Sequence, residues 1–252
     1  MSRMILITGA TGKFGRVLVR YFLDAGDHVI ATGRSEKSLS QLKATCSPGG
    51  ERLHLLEIDL MAEQVGGLLL EGLARIGMEP DCLINNARSL TSLELDNQGK
   101  VSSANFLNEF KLGVVVPYEL TMALAESPRS RLRAVVNMGS IYGVTAPNLK
   151  LYADPLRQSP IQYGVTKAAL AHLTKELAVR LAPRNIRVNC AAFGGVEGRV
   201  DSSFKERYAA LCPVGRMLAE DEIPGPIDML LSDAASGITG HVLMVDGGWT
   251  VW

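Results

Sequence analysis

The sequence predicts an α/β fold, a doubly wound parallel sheet with helices on both faces, from three observations. Short apolar runs alternate with longer amphipathic ones from end to end, the pattern of strands and crossover helices. A glycine-rich turn, Thr8-Gly9-Ala10-Thr11-Gly12-Lys13-Phe14-Gly15, separates the first apolar run from the first amphipathic one. Further on, Tyr163 and Lys167 stand four residues apart, on one face of a predicted helix.

In chain order, 4–7 reads as a buried strand. Residues 12–25 read as a helix with Phe14, Val17, Leu18, Tyr21, Phe22 and Ala25 on one stripe. Asp24-Ala25-Gly26-Asp27 stops that helix, and 28–32 is the second strand. Further strands are predicted at 53–58, 82–84, 134–138, 187–191 and 242–245, and helices at 35–44, 63–76, 106–126, 161–181 and 222–231. No repeat, linker or low-complexity tract interrupts the pattern, so residues 1–252 are predicted to form a single domain.

Composition narrows the function. Basic and acidic residues number 26 each, which gives no electrostatic bias toward nucleic acid or anionic membrane. Arg129, Arg131 and Arg133 read as a solvated loop beside a strand. Cys46, Cys82, Cys190 and Cys212 are widely spaced, and the four histidines lack ligand spacing, so neither a disulfide framework nor a metal site is expected. No run approaches the ~20 apolar residues of a membrane span. A soluble, cytoplasmic protein acting on a small molecule is the expectation.

Glycines between a first strand and first helix permit a tight turn and close approach of backbone to a pyrophosphate. The helix N-terminus adds N–H donors and a partial positive charge. In dinucleotide-binding folds an acid ~20 residues further on holds the adenosine ribose. Here the second strand ends in Ala31-Thr32-Gly33-Arg34. A guanidinium suits a 2′-phosphate, with Lys13 as a second charge, so NADP(H) is favoured over NAD(H). The alternative is that Arg34 is solvated and Ser35 only caps the next helix.

A phenol titrates near ~10 in water, too high for a general base at neutral pH. A neighbouring ammonium favours the phenolate, so a tyrosine–lysine pair on one helix face is a plausible acid/base device. The other five tyrosines have no lysine four residues on.

Together these features resemble the short-chain dehydrogenase/reductase family, over essentially the whole chain. The residues that carry the resemblance are Thr8–Gly15, Asp59-Leu60, Asn85-Asn86-Ala87, Ser140, Tyr163 with Lys167, Asn189 and Val245-Asp246-Gly247-Gly248. The resemblance implies a Rossmann-type sheet and a hydride-transferring enzyme. In it, Gly9, Thr11, Gly12, Phe14 and Gly15 would hold the cofactor phosphates, and Asp59 would bond the adenine beside Leu60. Asn86 and Ala87 would line the cofactor and steady the central strand, and Gly194 would follow the sixth strand. Ser140 would bond the substrate oxygen, Tyr163 would exchange its proton, and Lys167 would hold the nicotinamide ribose. Homodimers or homotetramers through helices 106–126 and 161–181 and the C-terminal segment are implied as well.

The chain departs from the family pattern at several points. The glycine spacing resembles the extended, sugar-nucleotide branch, whereas the chain length and Val-Asp-Gly-Gly resemble compact reductases. Arg88 stands where the family has glycine, and either crowds the nicotinamide site or contacts a substrate carboxylate. Gly113 aligns with the family's active-site asparagine, leaving space in which another water would serve, or weakening catalysis. Phe193 replaces a proline.

The Ser140-to-Tyr163 segment is also longer than in compact members. Its surplus, 146–160, reads as an ordered loop and a substrate-facing wall, with Lys150 and Arg157 either toward an anionic substrate or solvated; the alternative is a packing or subunit-contact loop. A second candidate wall is 197–217, with Arg199, Ser202, Ser203 and Lys205. The leading expectation is an NADP(H)-dependent oxidoreductase of a ketone or secondary alcohol. The alternatives are a nucleotide-sugar epimerase or dehydratase with retained cofactor, or a cofactor-binding protein without turnover.

Overall fold

In a computed structural model, which describes residues 2–46, 49–198 and 200–252, seven strands alternate with helices. The order is β1 (Met4–Ile7), α1 (Lys13–Asp24), β2 (His28–Gly33), α2 (Glu36–Ala44), β3 (Leu53–Glu57), α3 (Val65–Ile76), β4 (Cys82–Asn85), α4 (Ser103–Phe110), α5 (Val116–Glu126) and β5 (Ala134–Ser140). There follow α6 (Pro155–Gln158), α7 (Ile161–Leu181), β6 (Arg187–Phe193), α8 (Ser202–Leu211), α9 (Pro224–Leu231) and β7 (Val242–Val245).

All strands are parallel, in the order β3-β2-β1-β4-β5-β6-β7. The chain reverses its direction of winding between β1 and β4, which opens a crevice at the strands' carboxyl ends. Alternation along β1 builds both layers: Ile5 and Ile7 pack with Leu18, Phe22, Leu39 and Ile227. Leu6 faces the other way, into Leu69, Leu120 and Leu177.

Several boundaries and faces differ from those predicted. On α1 the buried set is Gly15, Leu18, Val19, Phe22 and Leu23, and Ala25 is exposed as the C-cap. The stripe predicted through Ala25 therefore lies rotated about the helix axis. β6 runs on to Phe193, which pairs with Ser140 and Val245. The helix predicted at 106–126 begins earlier, where Ser102 Oγ accepts the Asn105 N–H at 3.1 Å. It is interrupted by a π turn at Lys111–Val115.

Helix α8 was not predicted, although Asp201 caps it, accepting from the Phe204 N–H at 2.8 Å. Arg129 and Arg131 are largely solvated, and each rests on an acid at 3.1 Å, Glu79 and Asp81. At the C-terminus Trp249 stacks on Tyr208 at 4.4 Å between ring centroids and covers this chain's own core. Val251 and Trp252 are exposed. Among the described residues no helix is long and apolar enough to cross a membrane.

Candidate active site

A cleft of about 640 Å³ lies at the switch point. Strand order sets its ends, with Arg34 and Asp59 following β2 and β3 on one side and Ser140 and Gly194 following β5 and β6 on the other. Of the residues expected to bind cofactor or carry the proton transfer, all line it except Gly15. Gly15 is buried beneath the turn, where a side chain would run into the backbone of Gly9 and Ala10.

The turn is held by β4. Thr8 Oγ1 accepts the N–H groups of Asn86 at 2.9 Å and Ala87 at 3.0 Å, and the Asn86 amide donates to the carbonyls of Thr8 at 2.8 Å and Gly9 at 3.2 Å. Gly9 has φ +63°, and a β-carbon there would strike Ala87 Cα at 2.7 Å, so the first glycine is required twice over. Gly12 caps α1 with no side-chain acceptor, which leaves the first-turn N–H groups to a ligand. A side chain at Gly12 would meet only the Gly9 carbonyl. This is a cradle of bare amides that a β-carbon would fill, and it fits the diphosphate of a dinucleotide.

The charges near the turn are not equivalent. The Lys13 ammonium donates to the Glu197 carbonyl and pairs with Glu220 at 3.1 Å, so its charge is already engaged. Arg34 is exposed, with no ion pair or side-chain hydrogen bond among the described residues. Ser35 does cap α2, accepting weakly from the Ser38 N–H at 3.4 Å. Leu60 is buried beside exposed Asp59, whose Oδ1 accepts the Met61 N–H at 3.0 Å.

At the other end, α7 carries Tyr163 and Lys167 into the cleft beside Ser140. The Lys167 ammonium lies 5.7 Å from the Tyr163 ring centroid and donates to the Met138 carbonyl at 2.6 Å. Ser140 Oγ accepts the Tyr142 N–H at 3.2 Å, which fixes the hydroxyl at the end of β5. The Tyr142 ring meets Tyr163 edge-on, at 6.4 Å and 90°, and its hydroxyl pairs with that of Tyr152 at 2.6 Å. Burial, and then Tyr152 beside it, pushes the Tyr142 phenol far above its ordinary range. The Arg88 guanidinium carbon sits 4.5 Å from the Tyr163 ring centroid.

Gly113 lies inside the π turn, a distortion that recurs at functional sites. The space expected beside it is taken: a β-carbon would overlap the Thr166 methyl group. What remains is a cavity of about 10 Å³ bounded by Gly113, Asn85 and Lys167, the volume of about one water.

Among the described residues, neither candidate wall lines the cleft. No residue of 146–160 faces it; Leu151 is fully buried against Ile141, Tyr208 and Trp249. Arg207 donates to the Leu151 carbonyl at 2.7 Å, and Arg157 to the Asn97 carbonyl at 2.7 Å. Within this surplus, Leu151 and Tyr152 pack behind Tyr142. In the second segment Ser203 bonds Asp201 at 2.6 Å and Lys205 pairs with Glu197 at 3.4 Å; Arg199 lies outside the described residues. The sequence reading missed Asn108 of α4 and the Ser89–Thr91 hydroxyl pair, 2.8 Å apart, all of which line the cleft. No local pattern marked them, because only tertiary folding brings 89–108 over the strand ends.

This sheet order, with a glycine-rich first crossover opening on the switch point, defines a nucleotide-binding α/β protein. A family model described as enoyl-(acyl carrier protein) reductase matches residues 9–250. The chain belongs to the short-chain dehydrogenase/reductase family of oxidoreductases. It is 29% identical to the 3-oxoacyl-(acyl-carrier-protein) reductase FabG of Aquifex aeolicus, over 98% of this chain and 97% of the relative. A short chain dehydrogenase of Leptospira borgpetersenii solved with bound NAD+ superposes with TM-score 0.83 at 26% identity, covering 99% of this chain and 93% of that one. A 4-hydroxyisoleucine dehydrogenase complexed with NADH gives 0.83 at 26%, over 100% of both chains.

Proposed function

We propose that the protein is an NADP(H)-dependent oxidoreductase acting on a ketone or secondary alcohol, with Tyr163 as general acid and base. The observation that carries this reading is that Ser140, Tyr163 and Lys167 share one cleft with the glycine turn. When bound, the nicotinamide supplies a hydride to the carbonyl carbon, or takes it back, and is itself oxidised or reduced in step. Ser140 Oγ orients the substrate oxygen. Tyr163 gives that oxygen a proton in reduction and removes it in oxidation. Lys167 stabilises the phenolate and holds the ribose. Positioned proton transfer of this kind contributes about 10²–10⁴-fold.

Arg34, exposed and unpaired among the described residues, supports the 2′-phosphate preference better than Lys13 does. The names of the relatives, reductase and dehydrogenase, favour net hydride transfer over epimerisation or dehydration. Exposed Leu107, Val165 and Val179 on α4 and α7 support assembly into a homodimer or homotetramer.

The test is calorimetric titration of cofactor-stripped protein with NADPH and NADH, followed by a ketone screen on wild type and Tyr163→Phe. Tighter NADPH binding and collapse of turnover in the variant are expected; equal rates in the two proteins would overturn the acid/base role.

A further inference from the structure

We infer that Arg88 is a substrate-anchoring residue. It selects ketones or alcohols that carry a carboxylate one or two carbons from the reacting carbon. The inference rests on the oxidoreductase reading above and narrows its substrate class.

Four observations carry it. The Arg88 guanidinium carbon is 4.5 Å from the centroid of the Tyr163 ring. A ketone hydrogen-bonded to the phenol would therefore bring its neighbouring carbons within reach of the guanidinium. Arg88 is exposed to the cleft and has no ion pair or side-chain hydrogen bond among the described residues. The other cations of the lining are engaged or remote: Lys13 is paired with Glu220, Lys167 donates to Met138, and Arg34 lies across the switch point beyond β2.

Among the described residues, Asp59 is the only carboxylate in the lining, and it also lies on the far side. Arg88 and Lys167 line the reacting end with no carboxylate among those residues facing them there; Glu109 lies behind the wall, buried and bonded to the Ser92 hydroxyl. Such a site lowers the free energy of an anion, and does so most in a partly desolvated cleft.

The type of anion follows from the donor. A guanidinium presents a planar fork that matches a carboxylate in two parallel hydrogen bonds. Its cation neighbours are limited to Lys167, and the rest of this wall is neutral, with Leu90, Leu112 and the Ser89–Thr91 pair. One delocalised charge beside a small apolar wall suits a short oxo acid or hydroxy acid. The cation–π contact with the Tyr163 ring also restrains the guanidinium, which makes no side-chain hydrogen bond among the described residues. A neutral acyl thioester would leave its N–H groups without an anionic partner.

The experiment compares 2-oxobutanoate and acetoacetate with their methyl esters, as kcat/KM, for wild type, Arg88→Leu and Arg88→Lys. NADPH binding and circular dichroism verify that the variants fold. Wild type is expected to prefer acid over ester by about 10–100-fold. Arg88→Leu should lose most of that ratio, with a much smaller loss on the esters, and Arg88→Lys should recover part of it.

Oxalate and malonate binding is measured in parallel by calorimetry, with and without NADPH, because it needs no turnover. Dicarboxylate binding that disappears in Arg88→Leu upholds the anchor even if no ketone is reduced, and in that case only the oxidoreductase reading fails. An acid-to-ester ratio unchanged by Arg88→Leu, together with dicarboxylate binding that ignores the substitution, overturns the inference.

Discussion

A β-carbon on Gly113 would overlap the methyl group of Thr166, so the two residues share one space between the π turn and α7. The departure from the family's asparagine is therefore coupled to its neighbour rather than being a simple deletion. Gly113→Asn, which restores the family residue, is expected to destabilise the protein by about 1–3 kcal/mol through overpacking. Combining it with Thr166→Ala should return much of that loss, since contacting sites are not additive. Chemical denaturation of the two single variants and the double variant checks this. A Gly113→Asn protein as stable as wild type would show that the helix yields at no cost.

Much of the fold and site was legible because it is local. Strand–helix alternation marked all seven strands, and the Tyr163–Lys167 spacing needed only helix geometry. The turn from Thr8 to Gly15 was legible because glycine is the residue that tolerates what Gly9 does. What escaped depends on contacts made across the chain. Thr166 filling the place beside Gly113, Glu220 reaching Lys13, and the loop 146–160 packing on α8 all join segments far apart in sequence. The residues that follow Asp201 lack a clear apolar stripe, so α8 was not predicted.

Arg34 and Lys13 should separate in their effect on cofactor choice. Arg34→Ala is expected to weaken NADPH by about 1.5–3 kcal/mol, the value of a hydrogen bond to a charged group, with little change for NADH. Lys13→Ala should cost less for NADPH, because its ammonium already faces Glu220 at 3.1 Å. Parallel titrations with both cofactors read the difference. A larger NADPH loss in Lys13→Ala than in Arg34→Ala would reverse the assignment.

The Tyr142–Tyr152 pair predicts a double-mutant signature. Their hydroxyls are 2.6 Å apart, and both phenols are pushed upward chiefly by burial. Tyr152→Phe strands a buried hydroxyl on Tyr142 and should cost about 1–3 kcal/mol. Adding Tyr142→Phe removes both partners and should bring stability back toward wild type. Because Tyr142 packs edge-on against Tyr163, the single variant should also lower turnover more than the double one does. Urea melts and initial rates on the same samples test both statements.

Glu222 gives a pH dependence whose sign is fixed. Its carboxylate takes two hydrogen bonds from Arg216, at 2.7 and 3.0 Å, and one from the Ala219 N–H at 2.7 Å. Arg216 first, then the Ala219 amide, hold its acid down at about 2, against ~4.3 for an unperturbed glutamate. A depressed folded value means that the stabilisation is fully present above the unfolded value and is lost as pH falls through the folded one. The pair is partly exposed, so the effect is modest and salt-sensitive. The melting temperature of Glu222→Gln should therefore lie below wild type at pH 7. The gap should narrow from about pH 4.5 downward and close near pH 2, and added salt should narrow it at neutral pH. Thermal melts across that range decide it; a gap that widened on acidification would show that Glu222 does not act through its charge.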